Sequence, residues 1–560
     1  MATQSCTSLA NVEGVTVRAQ FENSSQTLFT DGLRGLLAAH PDAVWHPQGF
    51  VARRTPRSGG VALVSGGGSG HEPMHAGFVG AGMLDAACPG LVFTSPNAVQ
   101  IAAATRAVDT GAGVLHIVKN YTGDVMNFAV ARRLVSAEDD GAPAVETDVV
   151  LVADDVATED TKGPGRRGTG ATIVVEKICG AAADEGRPLS EVAAVGRSVA
   201  ETARSMAVSF SACTVPGATE PSFELDPGQM AVGVGIHGER ARDERDAVPA
   251  KELVAHLLDR ILPGTGVQSG GRALVVVNNL GGVSDLELGV LFSEAAEQLA
   301  ARGIEVARSL VGRFVTALDM AGASLTVVPL DDALIRLWDA PTSAPGWPHA
   351  ATAPSTVPEL STERPDDSAD DGEPNAWVSA FVERVQGAVD ELTELDRKAG
   401  DGDFGTNMEA ALGHYPIPLR GNDGDVLEAV ATSYLVRAGG TSGAVFGTFF
   451  TELGRALEAA PGTPGFVTGV RAGLTAVQEL GGAQVGDKTV VDALSPAADV
   501  LDAGGSLTEA AEAAAQGVEA TAGSVASRGR ASYLGDTVKG VPDPGALVMS
   551  WLFEAAAQHL

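Results

Sequence analysis

Five aliphatic runs of strand length, each ending in glycine or polar residues, dominate the chain before residue 338. They are VALVS (61–65) before GGGSG, VLHIV (114–118) before KNYTGD, DVVLVA (148–153) before DDVA, MAVGVGI (230–236) before HGE, and ALVVV (273–277) before NNLGG. Strands this continuously apolar must be covered on both faces, and Ala-rich segments of helical length lie between them. The pattern predicts an α/β half over residues 20–338, large enough for two α/β lobes that meet near 195–215.

Residues 339–375 break this pattern. The stretch APTSAPGWPHAATAPSTVPELSTERPDDSADDGEP has no helical or strand period and reads as an extended, solvated linker. Beyond it, Val378, Phe381, Val382, Val385, Val389, Leu392 and Leu395 follow the spacing of one amphipathic helix. Ala-rich stretches at 426–438, 465–480 and 507–522 behave alike, so residues 376–560 read as an all-helical domain with Gly-rich loops.

Composition narrows the function. With 38 basic and 71 acidic side chains, the net charge of −33 disfavours nucleic acid and anionic membranes as partners. The start lacks the basic and apolar regions of a signal peptide, and four scattered cysteines suggest neither a disulfide framework nor a zinc site. A cytoplasmic protein is expected.

The excess of glycine, 69 residues, is concentrated in short segments that carry chemistry. In SGGGSGHEPM (65–74), successive glycines let a ligand approach the backbone at a strand end; a plain turn is the alternative. No GK[ST] follows, so this is not a Walker A loop. KNYTGD gathers Lys119 and Asp124, where an aspartate suits a general base toward a hydroxyl and a lysine or asparagine binds oxygen. The two charges could instead pair with each other. His237 in GVGIHGE is flanked by glycines, approachable as a nucleophile or base, though a lone histidine is commonly structural.

The sharpest pattern is LDRKAGDGDFGTNM (395–408). Asp396, Asp401 and Asp403 crowd among Gly400, Gly402 and Gly405, and such carboxylates repel unless a hard cation such as magnesium lies between them. GGTSG (439–443) precedes an apolar helix, so its N–H groups and hydroxyls suit phosphates, and GGAQVGDKTV (481–490) and DPGA (543–546) suit the lining of a nucleotide site; helix capping and turns are the alternative. Together these segments point to a magnesium–nucleotide site outside any P-loop.

In order and spacing, GGGSGHEP, VKNYTGDVMNF, VADDVA, GTGAT, CTVPG and GVGIHGE, then LDRKAGDGDFGTNM, GGTSGA, GDKTVVDAL and DPGA, resemble the ATP-dependent dihydroxyacetone (glycerone) kinases in their single-chain form. The resemblance implies two α/β domains followed by a helical barrel holding Mg-ATP. It implies a ketose held as a hemiaminal on His237, with substrate hydroxyls held by Gly67, Gly68, His71, Lys119 and Asp124. His71 and Asp124 would be the acid/base groups. Magnesium ligands fall on Asp396, Asp401 and Asp403. Nucleotide contacts fall near Gly405, Thr406, Thr441, Ser442, Gly481, Thr489, Val490, Asp543 and Gly545. Phe404, Asn407 and Met408 depart from the family pattern, which has a small residue, Thr and His there. The implied substrate is dihydroxyacetone, with erythrulose as the alternative; a ketose-binding regulator or phosphotransferase-system subunit is the reading from another class. The resemblance also implies a homodimer, and in some members an FAD-cyclising side activity.

Overall fold

The computed structural model describes residues 21–136, 143–159, 165–241, 243–348, 354–359, 365–399, 402–438, 440–527 and 539–560. The chain forms two compact units, residues 1–359 and 360–560.

The first unit holds two six-stranded sheets. One contains β1 (Ala43–His46), β2 (Phe50–Arg53), β3 (Ala62–Ser69), β4 (Ala86–Val92), β5 (Val114–Lys119) and β6 (Thr147–Val152), in the order β1-β2-β4-β3-β5-β6. Its four strands β4, β3, β5 and β6 run parallel. The other contains β7 (Arg204–Ser209), β8 (Gln229–Val232), β9 (Asp243–Asp246), β10 (Arg272–Asn279), β11 (Glu305–Gly312) and β12 (Gly322–Leu330), in the order β11-β10-β12-β7-β8-β9. Only the β10–β11 pair of this second sheet is parallel. The chain passes from the first sheet to the second between the end of β6 at Val152 and the start of β7 at Arg204.

Both sheets are buried on two faces, as the continuous apolar runs require. On β3, Leu63 faces one core and Ala62 and Val64 another; on β10, Leu274 and Val276 face one core while Ala273, Val275 and Val277 face another. The helix Ala171–Asp184 is buried at every position but its last, and it joins residues of both sheets in one core. A helix buried on every side is an interior one, and Glu176 and Lys177 are the two charged residues it carries inward.

Three expectations are corrected. GGGSG is not a loop: Gly66, Gly67 and Gly68 continue β3, every residue of which is buried. A Cβ at Gly66 would lie 2.6 Å from the Cys88 carbonyl oxygen, and one at Gly68 would lie 2.7 Å from the Phe93 backbone. KNYTGD is not one loop either, since Lys119 ends β5 and Asp124 lies in the first turn of the helix Thr122–Val135. The linker is not solvated throughout: Ala344 is buried in the first unit, where the Gly346 N–H bonds to Gly77, and Asp367 pairs with Arg437 of the second.

The described residues of the second unit form helices and no strand. The amphipathic run predicted as one helix is two, Ala376–Gln386 and Val389–Ala399, broken at Gly387. The remaining helices are Phe404–Leu412, Asp423–Arg437, Gly440–Ala459, Thr463–Gly481, Val490–Asp502, Leu507–Gly523 and Pro544–His559. Neighbours pack on one another, and Pro544–His559 returns to Ala376–Gln386, closing the array around Phe381, Phe449, Phe450 and Phe466. Among the described residues no helix is long and apolar enough to cross a membrane.

Candidate active site

In the first unit the ends of β3, β5 and β8 bring His71, Lys119, Asp124 and His237 together. The His237 ring is in edge contact with Tyr121 (centroids 4.4 Å), His71 (4.7 Å) and Phe93 (5.5 Å). Its Nδ1–H donates to Glu239 Oε1 at 3.3 Å, while its backbone N–H donates to Glu239 Oε2 at 2.9 Å. That arrangement leaves the Nε2 lone pair as the nucleophilic position. Its side chain keeps 18% of its surface exposed, enough for a small ligand to reach. Burial alone would raise the Glu239 carboxyl, but the His237 hydrogen bond and the Arg167 guanidinium hold it down to about 2. Arg167 is fixed in turn by Asp155 and by the Gly233 carbonyl, which accepts at 2.9 Å.

His71 is fully buried and stacks on Phe93 at 5.1 Å. Its Nδ1–H donates to the Thr316 carbonyl at 2.7 Å, leaving Nε2 as an acceptor without a partner. Burial, then the neighbouring His237 and Lys119, hold its basicity well below the usual histidine value. Asp124 stands in the first turn of its helix, where the dipole favours a carboxylate. Its Oδ2 faces Lys119 Nζ at 3.4 Å, and its Oδ1 is buried without a partner. Gly67 abuts Lys119, and Gly68 abuts Phe93. All six expected substrate-half residues therefore lie in one connected cluster. The pairing of Lys119 with Asp124, the bland reading of that segment, also holds.

Sequence reasoning gave no role to Tyr121, Phe93, Glu239, Arg167, His75 or Glu176. Two of them had a local signal: Tyr121 lies inside KNYTGD, and Glu239 stands two residues after His237. The Tyr121 hydroxyl is a third buried polar atom without a partner beside the histidines.

In the second unit, Asp396 ends one helix and its Oδ2 accepts from the N–H groups of Gly402 (3.0 Å) and Phe404 (3.1 Å). Asp403 is the N-cap of Phe404–Leu412. Asp401 lies outside the described residues, as does Gly439. Thr489 caps Val490–Asp502 through a capping box with Asp492. Asp543 caps Pro544–His559, accepting from the Ala546 N–H at 2.7 Å. A Cβ at Gly545 would lie 2.9 Å from Val490 and 3.8 Å from the Phe404 ring, so these residues form one cradle. Desolvation, with Asp492 and Asp396 as like charges, pushes the Asp543 carboxyl up to about 7. Oxygen donors crowded in this way suit magnesium and a triphosphate.

Gly405 serves packing, since its Cα sits against Val389 and Thr393 of the preceding helix. Thr406 is exposed on the first turn of its own helix, and Thr441 and Ser442 stand in the first turn of Gly440–Ala459. Gly481 closes Thr463–Gly481 with open space around it. Among the described residues no group of three or more His, Cys, Asp or Glu side chains is placed to hold a metal.

A carboxyl raised from 3.8 to about 7 by folding stabilises below about 4, and that contribution is lost as pH rises through 7. Asn caps a helix as well as Asp. Asp543→Asn, without nucleotide, is therefore expected to raise the melting temperature of the helical unit by a few degrees at pH 8.5. Calorimetry is expected to show the gap narrowed at pH 5 and closed only below about pH 4.

The Dak1 domain model matches residues 34–346 and the DAK2 domain model matches residues 398–558. The chain is 39% identical to the triokinase/FMN cyclase of Rattus norvegicus, covering 96% of this chain and 98% of that one. It is 37% identical to the L-erythrulose 1-kinase of Mycolicibacterium smegmatis, covering 96% and 99%. The crystal structure of the dihydroxyacetone kinase from C. freundii in complex with AMP-PNP and Mg2+ superposes with a TM-score of 0.64 at 32% identity, covering 97% and 100%.

Proposed function

The chain belongs to the dihydroxyacetone kinase family, with Dak1 and DAK2 domains in one polypeptide, and from that premise we propose that it transfers the γ-phosphoryl group of ATP to the terminal hydroxyl of a short-chain ketose held covalently on His237. The observation that carries this reading is the His237 ring, oriented through Nδ1 by Glu239 and open at Nε2 beside His71 and Tyr121.

The Nε2 lone pair attacks the C2 carbonyl, forming the N–C bond. The C=O π pair moves to oxygen, the Nδ1 proton passes to Glu239, and water delivers one proton to the oxygen as Glu239 returns its own to solvent, so the adduct is neutral. A hemiaminal results. Selection for a ketone follows, because glycerol offers no carbonyl. His71 Nε2 and Asp124 Oδ1, buried without partners, suit the substrate's hydroxyls. Asp124 takes the terminal hydroxyl proton as that oxygen attacks phosphorus. Asp396, Asp401 and Asp403 are the residues that would hold a magnesium ion, with Asp543 among the nucleotide contacts. When bound, magnesium neutralises phosphate charge, the main burden of phosphoryl transfer.

Dihydroxyacetone is the first substrate reading. Erythrulose is the second, favoured by relatives named erythrulose kinases at 37% identity. The DAK2 half disfavours a purely regulatory ketose-binding role. A cytoplasmic homodimer belongs to the same reading, and its oligomeric state is checked by light scattering.

The test is ADP release by purified protein with magnesium, ATP and a panel of dihydroxyacetone, D- and L-erythrulose and glyceraldehyde. Turnover is expected without any added phosphoprotein; a strict requirement for one contradicts the reading. Asp396→Asn and Asp403→Asn are expected to abolish turnover while calorimetry still registers ketose binding, because each unit has its own core.

A further inference from the structure

Lys119 is fully buried, and its ammonium group has three donors. All three face acceptors of the protein: the Gly66 carbonyl at 3.1 Å, His75 Nε2 at 2.8 Å and Asp124 Oδ2 at 3.4 Å. Behind His75 stands Glu176 of the helix Ala171–Asp184, with Oε1 at 2.6 Å from Nδ1. Ser65 Oγ, which donates to the Ile117 carbonyl at 2.8 Å, also touches Nδ1 at 3.1 Å. Every side chain of this row is buried, and 101 residues separate His75 from Glu176.

We propose that Glu176 and His75 are positioning residues, which fix Lys119 through a buried row Glu176–His75–Lys119–Asp124 and thereby aim Asp124 at the substrate hydroxyl. The proposal rests on the kinase reading above.

The tautomer follows from the geometry. An ammonium group can only donate, so His75 Nε2 accepts and Nδ1 carries the proton toward Glu176. Burial, and then the Lys119 ammonium group beside it, keeps the His75 ring well below the usual histidine value, so it stays neutral. A histidine turned the other way would set two donors against each other at 2.8 Å, and the ammonium group would lose one anchor. Lys119 would then be free to swing, and Asp124 with it.

Two measurements test this. The first is steady-state ketose phosphorylation by Glu176→Gln and His75→Gln at saturating Mg-ATP, on protein shown by calorimetry to be folded. About a tenfold or greater fall in kcat is expected, with the ketose KM changed less than about twofold, because a positioned base acts in the transition state. Unchanged kcat, or a raised KM with kcat intact, overturns the proposal. The second needs no variant to fold and no turnover: 15N spectra of histidine-labelled wild-type protein. His75 is expected as the neutral ring protonated at Nδ1. A ring protonated at Nε2, or an imidazolium, overturns the row. If wild-type protein phosphorylates no ketose, the kinase reading falls and the tautomer alone decides the row.

Discussion

His237→Ala is expected to lower kcat/KM for the ketose on the order of a thousandfold, the scale on which holding a reactant in place counts. On the covalent reading the variant loses the group that bonds to C2, so both tight ketose binding and turnover are expected to go. The fold should persist. The ring is partly exposed and bonded only locally, to Glu239, whose carboxylate keeps the Arg167 charge nearby. Calorimetric titration with ketose and steady-state kinetics check this together. Near-normal ketose affinity in the alanine variant would mean that the hydroxyl contacts of His71 and Asp124 hold the substrate unaided.

Asp124→Asn carries the second largest effect. Asn keeps the size of the side chain and can still accept from Lys119 Nζ, but it cannot take a proton. Loss of a general base typically lowers a rate by about 10²–10⁴-fold, and a fall of kcat in that range is expected with a smaller change in KM. Loading of His237 precedes phosphoryl transfer and should persist. A raised KM with kcat unchanged would make Asp124 a binding residue and move the base to His71 or water.

The two units and their classes were legible because each has its own apolar period. The runs at 61–65 and 273–277 contain no polar interruption, and β3 and β10 are indeed covered on both faces. What such runs do not encode is strand direction. The second sheet is mostly antiparallel, and nothing in ALVVV or MAVGVGI distinguishes that from a parallel one. Gly66–Gly68 read as a loop because glycine usually marks turns. Their actual requirement is non-local, set by Cys88 and Phe93 of neighbouring segments. The single helix expected over 378–395 broke at Gly387, whose neighbours keep the apolar spacing on both sides.

The site divides in the same way. His71, Lys119, Asp124 and His237 announce themselves because each sits in a Gly-rich segment at the end of a strand. The residues that orient them do not. Thr316 lies 245 residues from His71, and Glu176 sits in the middle of an apolar helix where a sequence reading sees only a misplaced charge. In the helical half the capping aspartates were visible, whereas Gly405 proved to be required by helix packing. The cradle of Val490, Gly545 and Phe404 appears only when three helix ends converge.

The central claim is the covalent bond between His237 and the ketose. It is tested most directly by a 13C–15N correlation spectrum of [2-13C]dihydroxyacetone bound to 15N-histidine-labelled protein. The account predicts a tetrahedral C2 bonded to one ring nitrogen, a signal that His237→Ala lacks. A saturated protein whose bound C2 remains a carbonyl carbon, or whose C2 is bonded to a different residue, would contradict it.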